Sequence, residues 1–491
     1  MSVIPFDNSY ARLPERFYSR TRPTPVRSPR LIRLNEPLAM ELGIDVDALD
    51  AVTAAEVFSS NRVAEGSEPI ATAYAGHQFG SWVPQLGDGR AILLGEVVAR
   101  DGRRYDIQLK GSGPTAFSRR GDGRAALGPV LREYIVSEAM TALGIPSTRA
   151  LAAVTTGEKV IRERLIPGGI LTRVAASHIR VGTFEYFARR GDVDAVRTLA
   201  DYVIARHYPD CAGADRPYRA LLDAVIAAQA DLLPQWLLVG FIHGVMNTDN
   251  MSIAGETIDF GPCAFMDEYD PAAVFSSIDH WGRYSYHNQP NIAQWNLARL
   301  AECLLPLLDD DEEAAVADAT EALNRFAPRF EEEYHARLLR KLGIEAARDG
   351  DLELARELLR AMHENLVDFT LAFRGLADAA LGPEHDGAVR RLFSVGDAYD
   401  AWAARWRERL EQEPGEPCAR ADAMRRINPA YIPRNHRVEA VIRAAEDAGD
   451  FAPFDEMLAV VTRPYEEQPG RELYAQPPEA HERVRQTFCG T

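Results

Sequence analysis

His243-Gly244-Val245-Met246-Asn247-Thr248-Asp249-Asn250, followed by Ile258-Asp259-Phe260-Gly261, is the stretch on which the fold of this chain turns. Asn250 and Asp259 offer hard oxygen donors, which suit Mg²⁺ or Mn²⁺ bridging phosphate oxygens. Asp249 is the only acid inside the loop itself. Neighbouring side chains in extended chain point to opposite sides, so Asp249 can face a substrate hydroxyl while Asn250 faces a metal. The plainer alternative for Asn247 to Asn250 is a polar turn with one solvated carboxylate. His243 is expected to be structural.

The order of His, then Asn, then Asp-Phe-Gly matches the protein-kinase signatures H-R-D-x-x-x-x-N and D-F-G. One element departs. The position of the kinase base holds Val245, which cannot accept a proton. A positioned base contributes about 10²–10⁴-fold, so its loss without a replacement nearly silences a site. The metal-binding half is retained, and a nucleotide-binding protein doing something other than ordinary phosphorylation is expected.

Upstream, Ala91 to Val98 and Tyr105 to Lys110 are short apolar runs joined through Asp101-Gly102, the pattern of a β-hairpin. A helix is expected over Pro129 to Leu143, and strands over 150–155, 158–165 and 169–175. Lys110 ends a predicted strand, and Glu133 lies early in the next helix. That is the placement of the lysine that binds phosphates and the glutamate that holds it. Glu138 shares the helix but is rotated by roughly 140° at 3.6 residues per turn, so Glu133 is the expected partner. Gly87-Asp88-Gly89-Arg90 precedes the hairpin; glycine backbone and an Arg favour a phosphate there, although the same residues also make an ordinary turn. Arg119, Arg120 and Arg124 surround Asp122 and Gly123, and Arg173 and Arg180 flank a second cationic stretch. Guanidinium groups pair bidentately with phosphate oxygens, so a polyphosphate tail is expected beside them; surface ion pairing is the competing account.

From Thr183 the pattern is helical: 183–208, 218–245, then the motif loop, with an amphipathic helix over 291–308 and acidic, alanine-rich helices beyond. The expected fold is α+β, a protein-kinase-like two-lobed fold with an extended N-terminal arm and additional C-terminal helices. Its divisions are an arm with short helices (1–75), an N-lobe (76–180), a C-lobe with catalytic loop and D-F-G (181–310) and a helical extension (311–491).

The 491 residues carry a formal charge of −18, which argues against a general nucleic-acid binder. The first residues lack a basic n-region and an apolar core, so no secretory signal is expected. No apolar run reaches the ~20 residues of a membrane span, and the segment around Leu232 to Val245 is expected to be a buried helix. Five cysteines without C-x-x-C spacing fit a reducing cytoplasm. Cys489 lies near the chain end, where a thiol is either redox-active or merely a stray on a tail. A monomer is expected.

Several longer motifs carry a resemblance. Tyr74-Ala75-Gly76-His77-Gln78-Phe79-Gly80, Gln108-Leu109-Lys110-Gly111-Ser112-Gly113, Ser118 to Gly123, Ile258 to Pro262, His280-Trp281-Gly282-Arg283-Tyr284 and Asn428 to His436 look like the selenoprotein O family. The resemblance covers nearly the whole chain. It implies a kinase-like protein once classed as a pseudokinase that moves AMP from ATP onto Ser, Thr or Tyr hydroxyls of proteins, releasing pyrophosphate. Asp249 is then the proton acceptor, and Asn250 and Asp259 hold Mg²⁺ or Mn²⁺. Gly87, Gly89, Arg90, Lys110, Asp122, Gly123, Arg173, Arg180 and Asp259 contact the nucleotide. ATP lies reversed relative to kinases, which accounts for the surplus arginines. The resemblance also implies redox control through Cys489, with Cys263 as a candidate partner. An atypical kinase with a relocated base, or a silent nucleotide-binding scaffold, are the alternatives.

Overall fold

The computed structural model describes residues 3–488. The first half of the chain builds an antiparallel sheet from β1 (Tyr18–Arg20), β2 (Arg30–Leu34), β3 (Ile70–Thr72), β6 (Ala91–Val98), β7 (Arg104–Lys110), β8 (Ala125–Ala126), β9 (Arg149–Ile161) and β10 (Leu165–Ala175). The strand order is β1-β3-β6-β7-β10-β9-β2, with β8 paired to β10. A separate small hairpin, β4 (Gly76–Gln78) and β5 (Ser81–Val83), stands off this sheet. The predicted hairpin is β6–β7, in register from Ala91↔Lys110 to Val98↔Arg104. The extended N-terminal segment is part of the sheet: Leu31 and Leu34 pair with β9, and Tyr18 pairs with Thr72.

Alternation along the strands supplies the sheet with two buried faces. Ile170 and Val174 of β10 pack with α1 (Glu36–Glu41) and α2 (Ala51–Phe58), whereas Leu171 faces the other way. There it meets Leu131 and Ile135 of α3 (Leu127–Ala142) and the C-terminal helices Asn435–Arg443 and Ala452–Val461. The far end of the chain therefore covers the sheet built by its beginning.

Three sequence expectations are corrected. The strands expected over 150–155 and 158–165 are one strand, β9, and the chain turns at 162–164. Gly157 lies inside this strand. It sits at φ +69°, and a Cβ there would lie 2.7 Å from Ser28 Cβ and 2.8 Å from Ser28 O, so the close approach of the N-terminal segment requires the glycine. The helix expected over 183–208 is two, α4 (Val181–Ala188) and α5 (Val193–His207), separated where Gly191 takes φ +70°. The helix expected over 218–245 is α6 (Pro217–Leu238), which gives way to the short strand β11 (Phe241–Ile242) through Gly240 at φ +73°. Apolar residues run on through all of it, so hydrophobicity alone did not mark the change. By length and composition α6 is able to cross a membrane; 67% of its most apolar window is buried inside the protein, as in a core helix.

The helix α7 (Gln289–Leu308) packs with α4 and α6 in one large core, and β11 pairs with β12 (Ala264–Phe265) on either side of the motif loop. Arg434, only 1% exposed, ties the C-terminal segment to this region through ion pairs with Asp267 and Asp368.

Candidate active site

A cleft of about 740 Å³ lies between the sheet and the motif loop. Its walls bring together Gly87, Gly89, Arg90, Lys110, Asp122, Gly123, Arg173, Arg180, Asp249, Asn250 and Asp259. Glu133 lies buried behind this wall. Cys263 is buried, and burial pushes its thiol up to about 12; Cys489 falls outside the described residues.

Lys110 on β7 and Arg173 on the neighbouring β10 project from one face of the sheet, and α3 presents Glu133 to both. Lys110 Nζ donates to Glu133 Oε2 at 2.6 Å and to Asp259 Oδ1 at 3.2 Å. Arg173 donates through Nε to Glu133 Oε1 and through Nη2 to Asp259 Oδ1 at 2.9 Å. The rotation argument for the helix holds: Glu138 turns away and accepts from Arg149 at 2.9 and 2.8 Å. Burial penalises the charged form of Asp259, but Lys110, Arg173 and Arg90 outweigh it and hold the carboxyl well below the usual range. Asp259 also sits at φ +61°, in the left-handed region that Asp tolerates better than most residues.

Asp249 has the opposite environment. It lies in a short 3-10 turn, Thr248–Asn250, and is 7% exposed. Burial dominates and pushes its carboxyl up to about 6, with Arg180 only partly opposing. Its Oδ1 is buried without a hydrogen-bond partner. Two glycines make room for it. A Cβ on Gly76 would fall 2.5 Å from Asp249 Oδ1, and one on Gly182 would fall 2.1 Å from the Ala75 carbonyl oxygen and 3.3 Å from Asp249 Cα. Val245 is buried beside this turn, and His243 is structural as expected. Burial lowers the His243 pKa, and its Nε2 lies 2.8 Å from the Ile258 carbonyl oxygen, the arrangement of a neutral ring donating there.

The loop is held by groups that local sequence did not reveal. His77 N donates to Thr248 Oγ1 at 2.7 Å, and Thr248 Oγ1 in turn donates to Glu185. Glu185 Oε1 also lies 2.6 Å from His77 Nδ1, and burial pushes its carboxyl up to about 7. Asn247 Oδ1 accepts from Phe79 N at 3.0 Å and from Tyr284 OH at 2.6 Å. The hairpin β4–β5 thus clamps the motif loop from outside.

Residues 1–462 match the family described as "Protein adenylyltransferase SelO". The chain belongs to the SelO family. It is 64% identical over 488 residues to "Protein nucleotidyltransferase YdiU" of Rhodopseudomonas palustris (strain BisB18), with 99% of each covered. It is 64% identical over 496 residues to a protein of the same name from Methylorubrum populi, with 100% of each covered.

The glycines of this SelO-family cleft are there for space. A Cβ on Gly87 would fall 2.2 Å from the Phe117 ring, one on Gly89 would fall 2.9 Å from the Phe117 carbonyl oxygen, and one on Gly123 would fall 2.1 Å from the Gly113 carbonyl. Asp122 is exposed and accepts from Arg162 at 3.0 and 3.3 Å. Arg162 also lines the cleft. The sequence offered no signal for it, because it sits at the turn between β9 and β10 that was misplaced. Arg180 lies over the Tyr74 ring at 4.3 Å, so its guanidinium faces Asp249 from a fixed perch. The cleft thus offers a cationic wall, one firmly ionised carboxylate and one carboxylate poised near neutrality.

Proposed function

We propose that this protein transfers AMP from ATP to Ser, Thr or Tyr hydroxyls of other proteins, within a kinase-like two-lobed fold in which ATP lies reversed. The observation that carries the proposal is Asp249: a buried carboxyl with an unpartnered oxygen and a pKa near 6, facing the same cleft as the cationic wall. A base is most effective when its pKa lies near the working pH. Membership of the SelO family supports the nucleotidyl chemistry.

Asp249 accepts the proton of the acceptor hydroxyl as its oxygen attacks the α-phosphorus. A new P–O bond forms, the bond between the α-phosphorus and the bridging oxygen breaks, and pyrophosphate leaves. Lys110, Arg90, Arg173 and Arg180 neutralise the phosphates, with Arg162 beside Asp122 and Gly123 at the rim. Glu133 holds Lys110 and Arg173 in place. Asn250 and Asp259 would hold Mg²⁺ or Mn²⁺, and their donors fit. Asp259 is firmly ionised and both are oxygen ligands, the donor chemistry such an ion prefers. Such an ion supplies charge neutralisation on the phosphates.

Lobes at 76–180 and 181–310 belong to the same proposal, supported by a cleft lined from both. Redox control through Cys489 and Cys263 belongs to it as well. It is supported by the hydrogen bond from Thr487 Oγ1 to the carbonyl of Pro262, the residue before Cys263. Incubation with ATP labelled at the α-phosphate is expected to label proteins and raise their mass by one AMP. Labelling from the γ-phosphate alone overturns the proposal in favour of a kinase.

A further inference from the structure

We propose that the turn from Ser276 to Tyr284 is the docking lip for the acceptor protein, with Trp281 as the anchor for an apolar side chain next to the modified hydroxyl. This rests on the transfer reaction above and adds how its acceptor is held. Trp281 is 96% exposed, whereas the other tryptophans are buried or half-buried. A tryptophan in water forgoes the burial of a large apolar surface, and Trp is among the residues most enriched as anchors of protein interfaces.

A loose loop does not account for this exposure. Asp279 accepts from the backbone N–H of Arg283 at 2.9 Å and of Tyr284 at 2.8 Å, and Gly282 at φ +63° closes the turn between them. On the other side, Ser277 N donates to the Thr487 carbonyl at 3.0 Å. The turn is also continuous with the site. Ile278, 51% exposed, lines the same cleft as Asp249. Tyr284 OH donates to Asn247 Oδ1 at 2.6 Å, inside the motif loop. Trp281 is therefore held at a fixed position between a residue of the cleft wall and a residue that grips the catalytic loop.

The chemistry of the reaction says what covers it. A hydroxyl carried by a protein segment brings flanking residues across this lip, whereas water or a small alcohol brings none. Charge points the same way. Arg283 forms no ion pair among the described residues; its guanidinium lies 4.8 Å from the Trp295 ring centroid and 5.8 Å from that of Tyr284, and its Nε is buried without a hydrogen-bond partner. In a chain of formal charge −18, a guanidinium held on aromatic rings with no carboxylate partner among the described residues favours a carboxylate in the arriving segment. The occupant is an extended segment with Ser, Thr or Tyr, an apolar neighbour, and an acidic residue close by.

The test uses the full-length protein, ATP labelled at the α-phosphate, and synthetic hydroxyl peptides that differ at one flanking position, Leu or Gly. The unsubstituted protein is expected to prefer the Leu peptides. Trp281→Ala is expected to lower kcat/KM for them by about tenfold, mainly through KM. It should leave the Gly peptides and ATP affinity unchanged, and Trp281→Phe should recover most of the preference. An unchanged Leu-to-Gly ratio in Trp281→Ala overturns the lip. So does weakened ATP binding, which makes Trp281 a nucleotide contact. Glu added beside the Leu should help the unsubstituted protein and not Arg283→Gln; equal benefit in both overturns the acidic preference. If the unsubstituted protein labels no peptide, no protein and not itself, the transfer reaction is what has failed, and the lip falls with it.

Discussion

Asp249 and Asp259 are the same side chain in one cleft, and the molecule drives their proton affinities in opposite directions. Around Asp259, two cations from the sheet and the nearby Arg90 overcome the penalty of burial and keep the carboxylate ionised. Around Asp249, burial dominates, one arginine offsets only part of it, and the carboxyl is pushed up to about 6. The turn with Asp259 is built to carry a fixed negative charge, and the turn with Asp249 to pick up a proton. Charge partners make the difference: Asp249 is buried without an ion-pair partner among the described residues, whereas Asp259, with 27% of its side chain exposed, is ion-paired to Lys110 and Arg173.

The largest expected effect breaks the paired side. Asp259→Asn leaves Lys110 and Arg173 with only Glu133 between them. It should abolish AMP transfer and cost about 3 kcal/mol of stability, as read by α-label incorporation and urea unfolding at neutral pH. Transfer surviving at a tenth of its rate would mean that the two carboxylates do not divide the labour.

Asp249→Asn should lower the transfer rate by about 10²–10⁴-fold with ATP affinity retained. Its stability should move the other way. The folded-state pKa lies above the unfolded value, so the charged form destabilises the fold at high pH and the penalty vanishes as pH falls. The variant should therefore be more stable than the unsubstituted protein at pH 8, by about 1–3 kcal/mol, and the gap should close as pH falls through 6 toward 4. For Asp259 the folded pKa is depressed, so its stabilisation persists through that range and is lost only in stronger acid. Urea titrations of both variants across pH 4–8 separate the two; parallel curves would erase the contrast.

The rate itself should fall about tenfold per pH unit below pH 6 as Asp249 takes up its proton, and this limb should be missing in Asp249→Asn. Glu185→Gln sharpens the picture at the smallest scale. Glu185 contacts Thr248 and His77 and not the cleft, so a severalfold loss in kcat is expected with KM for ATP unchanged. Because its own carboxyl titrates near 7, the variant should also lose curvature between pH 6 and 8. A profile identical in shape to that of the unsubstituted protein would reduce Glu185 to a packing residue.

Much of the paired side was legible beforehand. Lys110 at a strand end, Glu133 one helix later and the rotation that excludes Glu138 follow from periodicity within a short span, and the hydrogen bonds agree. The clamp on Asp249 was not legible. His77 and Glu185 are 108 residues apart, and Thr248 is 63 beyond Glu185. No local pattern links them, and the motif that contains His77 says nothing of what its side chain touches. The need for a glycine at 157 was hidden for a related reason, since the group that demands it is Ser28, brought in from the N-terminal segment.

By itself the sequence determined which chemical groups are present and how the short elements form: the β6–β7 hairpin, α3, the acid after the lost base position, and the unusual density of arginines. Those follow from residue type and spacing over a few turns or a single hairpin. Tertiary structure alone decided that one aspartate stays charged and the other is poised to accept a proton. Proton affinity is set by the loss of water and the nearness of other charges, and both come from segments that meet only when the chain folds.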